Sequence, residues 1–495
     1  MTSYFVAIDS GSQSTKVLVV DEGGTVHASA RIGLKPYEHP SPGLAVHPGD
    51  DLWESITSAC QTALSRFAGP REKIVGVGLC TIRYCRALIA TNGTLVEPVL
   101  SWMDKRVGLP HSATHPGVAK LAASSGYITH RLVGRFVDSA AAYQGMWPID
   151  QHSWRWSEDP SAFMRTGMSP EMLCDLVDPG DLLGTITPAA AAATGLAIGL
   201  PVFATANDKA VEALGAGLTS PNQLLLSLGT YISSLTPATG YTEGTSYWSN
   251  FASRPHQYLA ESEGIRRGMW TVSWFRSLLE GASPEDMLSA GILSEGTAPE
   301  GTPREGTPAR GDRIYEMEAL LDAEAAALPP GSDGLFAVLD WLAPAAHPTR
   351  RGALLGFSGT QGRAHIYRSI LEGIALTMAD NAEAMAAELN RSFDTVIVSG
   401  GGARSRILPQ VMADVLGLSV RSAETDDAAG IGAAICAAVG SGTHPDWDTA
   451  VDAMTRLSDP LLPSANAAVY ARLRPRHRRV REEIRRLSAT LYAEE

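Results

Sequence analysis

Two short units of one design, near residue 9 and again near residue 229, constrain this chain more than any other feature. In the first, the apolar runs Phe5-Val6-Ala7-Ile8 and Lys16-Val17-Leu18-Val19-Val20 flank Asp9-Ser-Gly11-Ser-Gln-Ser-Thr15, a stretch of small, turn-forming residues. In the second, residues 224–227 and 231–235 flank Gly229-Thr230. Apolar runs broken by Gly and Ser read as strand, turn, strand. A turn rich in glycine and hydroxyls can offer successive backbone N–H groups to an anion. Two copies predict two related halves, each built on a sheet, with the break at residues 219–222. Strands mixed with helices in both halves predict α/β layers.

The rest of the chain fills in this plan. Asp21-Glu-Gly-Gly24 and Thr25-Val26 extend the first hairpin into a meander, and Ile74-Val-Gly-Val-Gly-Leu79 reads as a buried strand. Asn92-Gly93 is a strong hairpin signal between residues 86–90 and 94–96. Helical spacing is found over residues 51–67 and 210–214, and a long amphipathic helix is expected after Arg368, to about Leu389. A strand at Thr395-Val-Ile-Val398 runs into Ser399-Gly400-Gly401-Gly402-Ala403, with helices expected at 406–416, 427–439 and 466–492. Glu-Gly-Thr recurs every five residues from Glu295, with prolines between, so 291–312 reads as a low-complexity surface loop.

At 495 residues the chain accommodates two large domains, expected at 1–220 and 221–495. Forty Lys and Arg against 53 Asp and Glu give a net charge of −13, which argues against nucleic acid or an anionic membrane as partner. Five cysteines without a C-x-x-C predict reduced thiols and a cytoplasmic protein. No secretory leader or bilayer-spanning stretch is read from the sequence. The basic run 472–486 is expected to be a solvated helix face pairing with the acidic body.

The chemistry concentrates in the turns. Gly11 permits close backbone approach, Ser12 and Gln13 add donors, Lys16 adds a point charge, and Asp9 suits a hydrated Mg²⁺. This is a polyphosphate cradle without a P-loop. Gly229 and Thr230 repeat the device. Gly401, Gly402 and Ala403, between a strand and a helix, leave room for a planar group such as adenine, while the spacing lacks the GxGxxG of a dinucleotide site.

In their order, these segments resemble the FGGY family of carbohydrate kinases, which share the actin/Hsp70-type ATPase fold of two ribonuclease-H-like domains around a cleft. The opening Asp9-Ser-Gly11-Ser-Gln-Ser-Thr-Lys16 is similar to the family's first phosphate loop, and Leu226-Ser-Leu-Gly229-Thr230 to its second. Trp102-Met-Asp104-Lys-Arg106 resembles its W-x-D-x-R segment. Asn207-Asp208-Lys-Ala-Val-Glu-Ala-Leu-Gly215 resembles its catalytic segment, and residues 352–373 its C-terminal signature.

The resemblance implies an ATP- and Mg²⁺-dependent kinase of a small ketose, polyol or related sugar, transferring phosphate to an alcohol. Asp208 would be the general base and touch the substrate, and Asp9 with Asp208 would hold the metal. Gly11, Ser12, Gln13, Lys16, Gly229 and Thr230 would take the phosphates, and Gly401, Gly402 and Ala403 the nucleotide. Arg83, Tyr84, Trp102 and Asp104 fall where the family reads its sugar. The rivals are a non-catalytic or degenerate actin-like ATPase or sugar-binding module of the same fold. Self-association into a homodimer is allowed for. The chain departs from the family in a shortened stretch after Trp102 and in Ala343-Pro-Ala-Ala346, which replaces the usual polar G-E-R-T-P.

Overall fold

The structure, a computed structural model, describes residues 2–112, 116–281, 310–344, 346–425 and 427–493. Two six-stranded sheets organise it. The first consists of β1 (Tyr4–Ser10), β2 (Ser14–Asp21), β3 (Val26–Gly33), β4 (Ile74–Thr81), β5 (Leu182–Thr185) and β6 (Pro201–Ala204), in the order β5-β6-β4-β1-β2-β3. The second consists of β7 (Gln223–Leu228), β8 (Ile232–Ala238), β9 (Tyr247–Phe251), β10 (Tyr258–Ser262), β11 (Thr395–Ser399) and β12 (Ser419–Ser422), in the order β9-β10-β8-β7-β11-β12.

The same five-strand core underlies both. In the first, β3-β2-β1 are antiparallel, and β4 then β6 continue in parallel. In the second, β10-β8-β7 are antiparallel, and β11 then β12 continue in parallel. The two hairpins read from the sequence are β1–β2 and β7–β8. Their central strands are buried on both faces, which is why Val, Ile and Leu run on without alternation.

Six helices matter for the site: α1 (Asp51–Arg66), α2 (Asp208–Gly215), α3 (Arg363–Glu388), α4 (Leu408–Leu416), α5 (Ala428–Gly440) and α6 (Ala467–Leu491). Helix α3 departs from expectation. It starts at Arg363 rather than after Arg368, and residues 367–379 are all buried. It is a core helix rather than an amphipathic one, and its buried Arg368 and Glu372 pair with each other at 2.9 Å and with the Tyr470 hydroxyl. The Asn92-Gly93 hairpin forms, but only Ile89 and Leu95 bridge across it. Most of the expected 291–312 loop lies outside the described residues, and residues 310–312 open the helix Arg310–Ala326. No described helix is long and apolar enough to cross a membrane, and the five cysteines are buried and free.

Helix α5 comes from the second half of the chain yet packs on β1, β4 and α2 of the first. Glycines make this approach fit. A Cβ at Gly215 would lie 1.8 Å from the Ala428 carbonyl oxygen, one at Gly432 2.0 Å from that of Val211, and one at Gly78 2.0 Å from that of Ala433. Backbone meets backbone, so no side chain can yield. Gly432→Ala is expected to cost about 1–3 kcal/mol or more, read as a lower denaturation midpoint. Gly33→Ala, with nothing within 4 Å of its Cβ, should stay within about 0.5 kcal/mol of the parent.

Candidate active site

The two hairpin turns meet across the space between the sheets. The Gln13 amide donates to the Thr230 hydroxyl at 2.6 Å, joining the turns directly. Behind them lies a cavity of about 830 Å³, within the roughly 300–1,000 Å³ of small-molecule sites. Asp9, Gly11, Ser12, Gln13, Lys16, Asp208, Gly229, Thr230 and Gly401 all line it. Gly402 and Ala403 do not. Gly402 is packed against Leu228 and Met269, where a Cβ would have 2.8 Å, and Ala403 packs on the core. The turn Gly401–Arg404 is a short 3₁₀ helix whose two ends, Gly401 and Arg404, face the cavity.

Asp208 opens α2 behind Asn207, whose side chain accepts from the Ala210 N–H and caps the helix. Burial raises the Asp208 carboxyl above the ordinary aspartate value, against the pull of Arg83 and Lys209. Asp9, at the end of β1, is pushed up to about 7 by burial and by Asp427, with Lys16 opposing. Lys16 Nζ stands 3.4 Å from Asp427 Oδ2, and that buried oxygen accepts no hydrogen bond. Lys209 donates to Glu212 at 3.0 Å and to Ser227 on β7 at 2.5 Å, tying α2 to the second sheet.

Arg83 differs from expectation. Its guanidinium grips Glu261 on β10 with two bonds of 2.7 and 2.8 Å. Its Nε is 3.7 Å from Asp208 Oδ1. Both terminal nitrogens are thus committed to an acid of the other half, and Asn250 donates to the same carboxylate. Asp104 is likewise committed. Its oxygens accept from the Arg106 side chain and backbone and from the Ala45 N–H, so it caps and pairs rather than facing a ligand.

Tyr84 and Trp102 line a second, smaller pocket of about 170 Å³ with Arg86, Gln144 and Trp147. Tyr84 holds φ +62°, uncommon for a bulky side chain. Three polar groups here are buried without partners: Trp102 Nε1, Arg86 Nε, and both polar atoms of the Gln144 amide.

Some lining residues carry no assigned role in the sequence reading. Lys209, Glu212 and Asp427 sit inside segments it quotes, whereas Glu261 and Gln144 carry no local signal at all. Trp270 and Arg404 also face the larger cavity.

The N-terminal domain model of the FGGY family of carbohydrate kinases matches residues 4–108 and 111–215, and its C-terminal domain model matches 226–441. An uncharacterised sugar kinase of Escherichia coli (strain K12), YgcE, is 43% identical over 469 residues, 94% of this chain and 91% of that one. The chain belongs to the FGGY family of carbohydrate kinases. The fold agrees. Xylulose kinase from Rhodospirillum rubrum superposes with a TM-score of 0.79 at 22% identity, covering 99% of this chain and 100% of that one. Plasmodium falciparum glycerol kinase with ADP gives 0.77 at 13% identity, covering 98% of this chain and 98% of that one. The FGGY models meet between residues 215 and 226, where the second repeat begins.

Proposed function

We propose that this FGGY kinase transfers the γ-phosphate of ATP to a hydroxyl of a small ketose, polyol or related sugar, with Asp208 as general base. The observation that carries the reading is the placement of Asp208 in one cavity with both phosphate-type turns. A sugar alcohol is a weak nucleophile, and a carboxylate whose affinity for protons is raised by burial is suited to accept its proton. Phosphoryl transfer otherwise asks for positioning and charge neutralisation. Lys16 and the N–H groups around Ser12 and Gly229 would serve that, with Gly11 shaping the turn through its N–H bond to the Ser14 carbonyl and Gln13 and Thr230 closing over the phosphates. Domain boundaries near residue 220 would place one turn in each unit.

The carboxylates of the cavity fit Mg²⁺. Asp9, Asp208, Glu212 and Asp427 share its lining with Lys16, Lys209 and three arginines, and Asp427 Oδ2 lacks a hydrogen bond. Among the described residues no cluster of three or more such ligands could hold a metal alone. Mg²⁺ at nucleotide sites typically uses one or two carboxylates plus phosphates and water. Asp9 and Asp208 would hold it, and it would supply neutralisation of phosphate charge.

The acceptor would sit in the smaller pocket. At about 10–15 Å³ per enclosed water, its volume of about 170 Å³ holds on the order of a dozen waters, room enough for a five- or six-carbon chain. The Gln144 amide lacks both a donor and an acceptor partner, which a hydroxyl supplies, and Trp102 offers a ring and an N–H.

ADP release measured across ketoses, polyols and aldoses tests the reading. Sugar-dependent turnover that EDTA abolishes and Mg²⁺ restores is the expected result, and no sugar-dependent release across the panel would overturn it. The pH dependence is a second expectation. Asp208 must be ionised to accept a proton, so turnover falls as pH drops through its folded value. Because that value is raised, the acid limb should lie above the ordinary carboxylate range and vanish in Asp208→Asn.

A further inference from the structure

The basic run of α6 does pair with acids. Arg474 and Arg478 each donate to Asp380 at 2.8 Å, Arg481 does so at 3.3 Å, and Arg485 holds Asp340 with bonds of 2.9 and 3.1 Å. The inner side of the helix is different. There Arg481 and Arg485 face a small, partly open cavity of about 40 Å³, together with Arg266 and Arg350 from preceding loops. Only two acids, Glu263 and Asp340, share the lining.

The cations are unevenly compensated: Arg485 is held by Asp340 and Arg266 donates to the Ala343 carbonyl at 2.7 Å, whereas Arg350 and one nitrogen of Arg481 lack close partners. Arg350 reaches Glu263 only at 3.8 Å, and that glutamate is largely exposed. Arg481 Nε is buried with no hydrogen-bond partner. Burial and the neighbouring Arg485 weaken proton binding by both Arg350 and Arg481. Crowded guanidinium groups around a void are unfavourable unless something negative occupies it. The chain as a whole carries −13, so the local excess of positive charge runs against its average.

Size narrows the occupant. At about 10–15 Å³ per enclosed water, the cavity holds roughly three waters. That suits one compact oxyanion and excludes a nucleotide or a sugar ring. Arginine's fork of donors matches tetrahedral oxyanions. We propose that this cavity is a second anion site, which takes a phosphate group on Arg350, Arg481 and Arg485. One wall connects to the active site. Ile265 and Ile232 exchange backbone hydrogen bonds of 2.8 and 3.0 Å, and the Gly264 N–H donates to Tyr231 Oη at 3.1 Å. An occupant would brace the backbone behind the Gly229-Thr230 turn.

Calorimetric titration of the full chain with inorganic phosphate, at ionic strength held constant with chloride, tests the site. A phosphate monoester of glycerol serves as the second ligand. The expected result is a saturable event in the parent that weakens about 10- to 150-fold in Arg350→Gln and in Arg481→Gln. The event should persist in Lys16→Ala, which alters only the first phosphate turn. Arg350 lies on a loop, so its variant keeps the helix packing intact, and unfolding curves verify this. Binding of free phosphate alone means an enclosed anion, and equal binding of the monoester means a ligand whose organic part protrudes; both support the site. No saturable binding in the parent would overturn it, as would binding lost in Lys16→Ala but kept in both arginine variants.

Discussion

Asp208→Asn is expected to lower sugar-dependent turnover by about 10²- to 10⁴-fold, with the unfolding midpoint and nucleotide binding nearly unchanged. The amide keeps the shape of the carboxylate, and the cap of α2 belongs to Asn207, so the helix start survives the change. The amide also keeps an oxygen that can accept the Lys209 N–H at 3.0 Å. What it loses is the capacity to take a proton from the attacking hydroxyl. Steady-state kinetics on the best acceptor of the panel, beside ADP binding by calorimetry, separates these effects. Turnover equal to the parent's would remove Asp208 from the role of base. A collapse of ADP affinity would make it part of the nucleotide site instead.

Arg83→Ala is expected to destabilise the protein by about 3–5 kcal/mol, because it strands a buried, ionised partner. Glu261 is fully buried and Arg83 nearly so, and their paired bonds join the first half of the chain to the second. From sequence alone, Arg83 is expected to grip the sugar, which would raise the acceptor KM far more than the ATP KM. The geometry predicts another outcome: a large fall in unfolding midpoint, with kinetic loss following from a displaced Asp208. Replacing both partners by methionine should recover much of the stability, because no charge is then left buried alone. An unchanged midpoint with a raised acceptor KM would return Arg83 to the substrate.

Much of this protein was legible in its residues. The two hairpins and the strands at 74–79 and 395–398 were readable because a strand buried on both faces needs an unbroken apolar run. Their turns were readable because glycine and hydroxyl residues at close spacing mark tight turns. Family membership followed from the order of such segments. The extent of α3 was less legible, since a helix buried all round carries no periodic stripe.

What the tertiary structure alone decided are the contacts between residues far apart in the chain. Arg83 meets Glu261 across 178 positions, Gln13 meets Thr230 across 217, and no local pattern records either. Gly402, Ala403 and Asp104 carry suitable residue types, yet neighbouring backbone and side chains engage or cover them. The glycines at 215 and 432 read as small helix residues until α5 is seen crossing α2 without room for a methyl group. Composition and spacing determine which elements form and which chemistry they can offer. Which side chains remain free to use it depends on burial and long-range pairing, and those are properties of the packed chain.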